Sequence, residues 1–430
     1  MPVQITELDN GLRVVTERMD RVETVSVGAW IGVGARHEAE AVNGVSHLLE
    51  HMVFKGTAKR SPRAIAEEIE AVGGHMNAYT AREHTAYYAK MLKDDLGLAM
   101  DVIADLVQHA TLDPEELERE RHVVIQEIHQ LHDTPDDLVF ENFQAMAFPE
   151  QALGRSVLGS ESLIGAMSRD AVMDYMKAHY AAPVSVVSAA GALDHDRVVE
   201  MVQETFGDLP SGAPADREAA RYGGGEVRSD RDLEQVHITL GFDGMAYDDA
   251  DYYVGSVLST LLGGGMSSRL FQEIRENHGL VYSIYSYQSA YTDGGLFGIY
   301  AGTGEDEVRE LMPLIADELN KVRISVGEDE VARARAQLKA SILMSLESTS
   351  SRCEQLARQM LIFDRPIPAE EIVAKVDAVT PEDVIRVAGR LFSSKPTVSA
   401  IGPLAKLEAG DKVPADMRLM RTSGLQIQEA

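Results

Sequence analysis

The sequence is poor in cysteine, because Cys353 is the only one among 430 residues. A single thiol excludes any intrachain disulfide, in agreement with a reducing compartment, and we expect Cys353 to be an unreactive helix residue. No run approaches the roughly 18 consecutive apolar residues of a membrane helix. Residues 1–7 resemble neither a secretory signal nor an Arg-rich transit peptide. We therefore expect a cytoplasmic protein without a membrane partner.

Positive charge is also scarce, since 40 basic residues face 69 acidic ones and the formal net charge is −29. Such a negative field repels nucleic acid and anionic membrane surfaces, so we expect neither as a partner. Cationic peptides would be attracted. The alternative is that the acidity serves solubility alone.

The length and internal order of the chain indicate two related halves. A chain of 430 residues is too long for one ordinary core. Residues 211–226 are rich in glycine, alanine, proline and charge, which predicts a first domain over 1–212, a linker over 213–227 and a second domain over 228–430.

A weak internal repeat supports this division. Ser168 begins a helical pattern that leads to a strand at Pro183, and Thr380 begins one that leads to a strand at Pro396. The two separations are 15 and 16 residues (168 to 183 and 380 to 396). We therefore predict a duplicated α+β fold, in which each half is a mixed or antiparallel sheet packed with helices.

The most informative stretch contains two histidines, four residues apart, with an acidic residue between them. In a helix over residues 44–54, His47, Glu50 and His51 would share one face. Two imidazoles so placed suit Zn²⁺, and the carboxylate could accept a proton from a metal-bound water. The order is H-x-x-E-H, the inverse of the commoner H-E-x-x-H. The alternative is an amphipathic helix with two partly buried histidines, whose core face is Leu48, Leu49, Met52 and Val53.

A second acidic pattern lies on the helix predicted over residues 115–132. Glu120 and Glu127 are seven residues apart and therefore share a face, beside the apolar stripe of Val124 and Ile128. A carboxylate in such a stripe needs a partner, which a metal held by the two histidines would supply. A solvated helix edge is the alternative.

Four segments together resemble the M16 (pitrilysin-type) zinc metallopeptidases, and most closely the branch of the mitochondrial processing peptidase β-subunit and its bacterial homologues. They are residues 44–57, 73–80, 118–127 and 275–282. The resemblance implies two halves of α/β-roll type and one Zn²⁺ per chain. It further implies that His47, His51 and Glu127 are metal ligands, Glu50 is the general base and Glu120 orients a ligand.

The same resemblance implies a set of residues that act on the substrate. Arg275 and Tyr282 would hold its backbone and stabilise the oxyanion, and the expected binding residues are Phe54, Asn77, Ala78, Asp137 and Glu141. Asn77 and Ala78 would pair with the substrate from an edge strand. Phe54 would line an apolar pocket, and Asp137 with Glu141 would receive a basic side chain.

The predicted activity is that of a zinc-dependent endopeptidase acting on basic, extended or unfolded peptides. The loop at residues 263–265 is shorter than the glycine-rich loop of the heterodimeric processing peptidases, so a homodimer is favoured over a heterodimer with a paralogue. Two alternatives stay open at this point: a non-catalytic partner subunit of the same fold, and a subunit active only with a paralogous chain.

Overall fold

The computed structural model describes residues 3–212, 217–405 and 407. The strands are β1 Gln4–Glu7, β2 Arg13–Arg18, β3 Thr24–Ile31, β4 His75–Thr80, β5 Thr85–Leu92, β6 Ser185–Gly191, β7 Gly225–Asp230, β8 Val236–Asp243, β9 Val281–Ala290, β10 Gly295–Thr303 and β11 Thr397–Gly402. The α-helices are α1 Val45–Val53, α2 Pro62–Glu70, α3 Leu96–His109, α4 Pro114–Asp133, α5 Pro135–Ala147, α6 Glu161–Ala166, α7 Arg169–His179, α8 His195–Phe206, α9 Tyr252–Gly263, α10 Val308–Val322, α11 Glu328–Ser345, α12 Thr349–Phe363, α13 Ala369–Asp377 and α14 Pro381–Leu391. No helix in these ranges is long and apolar enough to cross a membrane.

The chain forms two compact units, and neither is one continuous stretch. The first comprises Met1–Gln130, Arg155–Glu218 and Leu343–Ile367, and the second comprises Leu131–Gly154, Ala219–Ile342 and Pro368–Ala430. Within the predicted linker, residues 213–216 lie outside the described residues, and residues 225–227 open strand β7. Each unit therefore contains a helix from the other half of the sequence, α12 in the first and α5 in the second.

The first unit is built on a six-stranded sheet in the order β1-β2-β6-β3-β5-β4. Only β2 and β6 run parallel. The large apolar core joins one face of the sheet to α1, α3, α7 and α8. On the other face α12 packs against β3 and β6, and its Cys353 is buried with Sγ 3.2 Å from the Ser188 carbonyl oxygen. Burial raises the pKa of this thiol to about 12, which agrees with an unreactive residue.

The second unit is built on a five-stranded sheet in the order β7-β11-β8-β10-β9. Here only β7 and β11 are parallel. Helix α5 packs against β11, β8 and β7, while α9 packs against β9 and α14. Strand β10 is buried along its whole length.

The strand orders confirm the duplicated α+β fold. From β2 onward the first sheet has the same sequence of parallel and antiparallel pairings as the second. Equivalent strands β6 and β11 end in Gly191 and Gly402, with φ of 134° and 138°. A Cβ at either glycine would meet a backbone carbonyl oxygen of the neighbouring strand, at 2.3 Å and 2.5 Å. The helices before these strands are capped by Ser168 and Thr380 side chains, as predicted.

Candidate active site

Helix α1 carries the histidine motif and runs from Val45 to Val53, within the predicted 44–54. Its apolar side, Leu48, Leu49, Met52 and Val53, is fully buried. The three polar motif residues, His47, Glu50 and His51, lie on the opposite side and are only half-buried. Amphipathicity therefore orients the helix and presents the motif to the site.

The start of α1 is capped in an unusual way. Gly44, at the N-cap position, has φ of 95° and no side chain to cap the free N–H groups. The buried Glu38 carboxylate does so instead, because it accepts hydrogen bonds from Gly44 N and Ser46 N, both at 2.8 Å. It also accepts one from Asn43 Nδ2 at 2.7 Å. A carboxylate at a helix N-terminus is further stabilised by the helix dipole.

Three potential metal ligands converge above α1. Nε2 of His47 and Nε2 of His51 each lie 3.6 Å from the same Glu127 oxygen, Oε2. All three ligand atoms lie within 4.8 Å of one another. A separation of 3.6 Å is too long for a hydrogen bond. Tetrahedral zinc with bonds of about 2.0–2.2 Å would place its ligand atoms roughly 3.4 Å apart, so the two nitrogens and the carboxylate oxygen fit this ion.

Glu120 contacts one of these ligands, His51, at the ring nitrogen that does not lie toward Glu127. It is only 5% exposed, and its Oε2 lies 2.9 Å from Nδ1 of His51. An ionised carboxylate only accepts hydrogen bonds, so Nδ1 of His51 carries a proton and Nε2 is the nitrogen left to ligate a metal. Lys55 Nζ contacts the other Glu120 oxygen at 2.7 Å. Among the described residues the buried Nδ1 of His47 has no such partner.

The pKa shifts at the site follow from burial and from these neighbours. Burial, with a smaller contribution from nearby His51, lowers the pKa of His47 to about 4, so this ring is neutral at pH 7. Burial alone would lower the pKa of His51, but the acidic neighbours Glu120 and Glu127 outweigh it and raise that pKa. Burial acts to raise the pKa of Glu120, yet hydrogen bonds from His51 and Lys55 hold it below its ordinary value.

Glu50 lies on the same side of α1 as His47 and His51, and its carboxyl is near enough to His51 and Glu127 to interact with their charges. Burial raises the pKa of its carboxyl, and a hydrogen bond from Thr80 partly opposes this shift. The Thr80 hydroxyl donates to Glu50 Oε2 at 2.6 Å. A partly buried carboxylate of raised pKa, next to a metal-ligand cluster, is suited to general base chemistry.

Three of the expected substrate-binding residues belong to the first unit. Asn77 and Ala78 lie on β4, which is an edge strand because, among the described strands, it pairs only with β5. Asn77 is exposed and Ala78 is half-buried. Phe54 ends α1 and packs its half-buried ring 6.4 Å from that of Tyr87.

The other four expected substrate residues belong to the second unit. Arg275 lies in a π-helical turn, Phe271–Asn277. Its guanidinium stacks 5.5 Å from the ring centre of Tyr282, which is 76% exposed. Asp137 and Glu141 are one turn apart on α5, the first exposed and the second half-buried.

Sequence reasoning missed three residues that support the site. Thr80 contacts Glu50, Lys55 contacts Glu120, and Glu38 caps α1. Thr80 and Lys55 do lie in segments singled out by the family resemblance. An acidic residue shortly before a helix that lacks its own capping side chain was the available signal for Glu38.

Comparison with known proteins finds related sequences over most of the chain. Residues 13–161 match the family profile described as Insulinase (Peptidase family M16), and residues 166–338 match the one described as Peptidase M16 inactive domain. An uncharacterized zinc protease of Streptomyces coelicolor is 40% identical over 417 residues, which cover 95% of this chain and 91% of that protein. A probable mitochondrial-processing peptidase subunit beta of Arabidopsis thaliana is 39% identical over 420 residues, or 94% and 79% of the two chains.

A solved structure extends the comparison to the fold. A protease from Helicobacter pylori superposes with a TM-score of 0.89 at 22% identity, covering 94% of this chain and 99% of the other. At that identity the likeness shows the fold alone. The sequence matches show more, and the chain belongs to peptidase family M16.

Proposed function

We propose that this protein is a zinc-dependent endopeptidase that cleaves extended peptides. The observation that carries the proposal is the convergence of His47, His51 and Glu127, with Glu50 near enough to interact with the charges of His51 and Glu127. Relatives with similar sequences are named zinc proteases, which supports zinc as the metal. The three ligands form one cluster, so the expected content is one Zn²⁺ per chain.

The residues of the site divide the chemistry between them. Bound zinc would polarise the scissile carbonyl and lower the pKa of an attacking water. Glu50 takes the proton of that water and later delivers it to the leaving amine. Glu120 keeps His51 in the tautomer that leaves Nε2 free to ligate. The family resemblance further assigns binding of the substrate backbone to Arg275 and Tyr282, and stabilisation of the developing negative charge to Tyr282.

The edge strand and the charge of the chain define the proposed substrate. Among the described strands β4, which holds Asn77 and Ala78, is paired only with β5, and pairing with its other edge requires an extended peptide. The Ala78 N–H donates to Asn77 Oδ1 at 2.9 Å, a contact that a bound peptide would replace. Phe54 offers an apolar contact beside the site. Asp137 and Glu141, together with the net charge of −29, favour a basic peptide over an acidic one. The homodimer and the cytoplasmic location stay predictions, as does the alternative of a heterodimer with a paralogue.

The test is hydrolysis of a fluorogenic arginine-containing peptide by the purified chain, with Glu50→Gln measured in parallel. The variant keeps the three ligands and should retain zinc, but its rate should fall by at least about 10²-fold because the base is lost. Glu118→Gln, an exposed residue of α4, is the matched control and should cleave like wild type.

Each outcome has a definite meaning. Cleavage by wild type and by the control, but not by Glu50→Gln, supports a self-sufficient peptidase. Zinc binding without cleavage by any of the three would favour a partner subunit or dependence on a paralogous chain. Equal cleavage by all three would refute the role of Glu50. Equal rates on matched acidic and basic peptides at low salt would contradict the proposed preference.

A further inference from the structure

The base and the proposed substrate strand meet at Thr80. This residue is the last of β4, and its Oγ1 donates to Glu50 Oε2 at 2.6 Å. The Thr80 backbone N–H also lies close enough to the same carboxylate to influence it. A short hydrogen bond to an ionised carboxylate is among the stronger ones in proteins. Occupation of Oε2 restricts rotation of the carboxylate and leaves Oε1 to accept a proton.

Contacts on the face of β4 opposite to the Thr80 side chain also fix the end of this strand. Tyr79, whose side chain alternates with that of Thr80, contacts Glu354 Oε1 of α12 at 3.1 Å and His84 Nε2 at 3.0 Å. The turn after β4 is closed by a hydrogen bond from Ala81 N to His84 O at 2.8 Å. Thr80 therefore projects from a strand end that is fixed by both side-chain and backbone contacts, as a positioning group requires.

The same strand carries the residues expected to pair with the peptide. Ala78 and Thr80 are two residues apart, so they lie on one face of β4 at a separation of roughly 6.6 Å. A peptide paired with β4 would be placed relative to Thr80 by the strand geometry. Thr80 in turn places Glu50.

We propose that Thr80 is a positioning residue that sets the Glu50 carboxylate relative to a peptide bound on β4. The proposal rests on the endopeptidase function. It assigns Thr80 a part in kcat rather than in metal or peptide binding, because its hydroxyl contacts the base and none of the three ligands.

The test compares Thr80→Val, which removes the hydroxyl at nearly constant shape, with Thr80→Ser, which keeps it. Thr80→Val should lower kcat by about 10- to 100-fold, the usual effect of a misplaced catalytic group. Thr80→Ser should recover most of the rate. KM, the zinc content after dialysis, and the affinity of the metal-free protein for the same peptide should stay within about 2-fold of wild type in both. Thr6→Val, which removes a hydroxyl that contacts His195 Nε2 from strand β1 at the opposite edge of the sheet, is the control.

A double variant separates positioning from a merely structural role. In a Glu50→Gln background, Thr80→Val should cause no further loss of rate, because the two changes act on one group. A wild-type kcat in Thr80→Val would overturn the proposal. So would an equal loss in Thr6→Val, a loss of zinc or peptide affinity, or additive losses in the double variant. Failure of the endopeptidase function itself would instead appear as an inactive wild type.

Discussion

Replacing Glu120 by glutamine should weaken zinc binding without touching a metal ligand. Both oxygens of this buried carboxylate are engaged, Oε2 by Nδ1 of His51 at 2.9 Å and Oε1 by Nζ of Lys55 at 2.7 Å. Glutamine offers one acceptor oxygen and one NH₂ group. Whichever way the amide turns, a donor faces a donor and one of the two contacts is lost.

The size of the effect can be worked from these contacts. A charge-assisted hydrogen bond contributes about 1.5–3 kcal/mol, and loss of a residue that orients a metal ligand typically costs 10–100-fold in affinity, or about 1.4–2.7 kcal/mol. The two ranges agree. We therefore expect the zinc dissociation constant of Glu120→Gln to rise by about 10- to 100-fold. The cause is that His51 loses the partner that holds its tautomer and ring orientation.

The measurement is a competition titration of the metal-free protein against a chromogenic chelator of known zinc affinity. Glu118→Gln is the matched control, because Glu118 lies two residues earlier on α4, is exposed and pairs with Arg121. Its dissociation constant should equal that of wild type. A Glu120→Gln affinity within about 2-fold of wild type would refute the reasoning, and so would equal weakening in both variants.

Two further predictions concern stability. Glu38→Gln places an amide NH₂ against the N–H groups at the start of α1 and should lower the free energy of unfolding by about 1–3 kcal/mol in denaturant titrations. Exposed Glu40→Gln should change it by less than about 0.5 kcal/mol, and equal values would contradict the capping role. Burial lowers the pKa of His84 from 6.5 to about 4, so the unfolded chain binds more protons between these values. The stability that the buried, neutral His84 side chain contributes is therefore present above pH 6.5 and is lost as the pH falls through 4. The stability advantage of wild type over His84→Gln should accordingly shrink by up to about 3 kcal/mol across that range. An advantage that does not change with pH would contradict this prediction.

Much of the fold could be predicted because its signals are local. The helix caps at Ser168 and Thr380 depend on residues within a few positions of one another. The packing partners of α12 and α5 could not be predicted in this way. Helix α12 comes from the second half of the sequence but packs on the sheet of the first unit, and α5 comes from the first half but packs on the sheet of the second unit. A local pattern shows only that a helix has an apolar side, and does not show which sheet covers it.

The residues of the site also differ in whether local sequence or only tertiary packing brings them together. The sequence by itself determined that His47, Glu50 and His51 share a face, since a helix brings residues three and four positions apart together whatever surrounds it. The family resemblance singled out Glu127. Only the tertiary structure decided that Thr80, thirty residues beyond Glu50, donates to its carboxylate, and that Lys55 and His51 divide the two oxygens of Glu120. Contacts between separate elements depend on how a strand and two helices pack, which no spacing along the chain encodes.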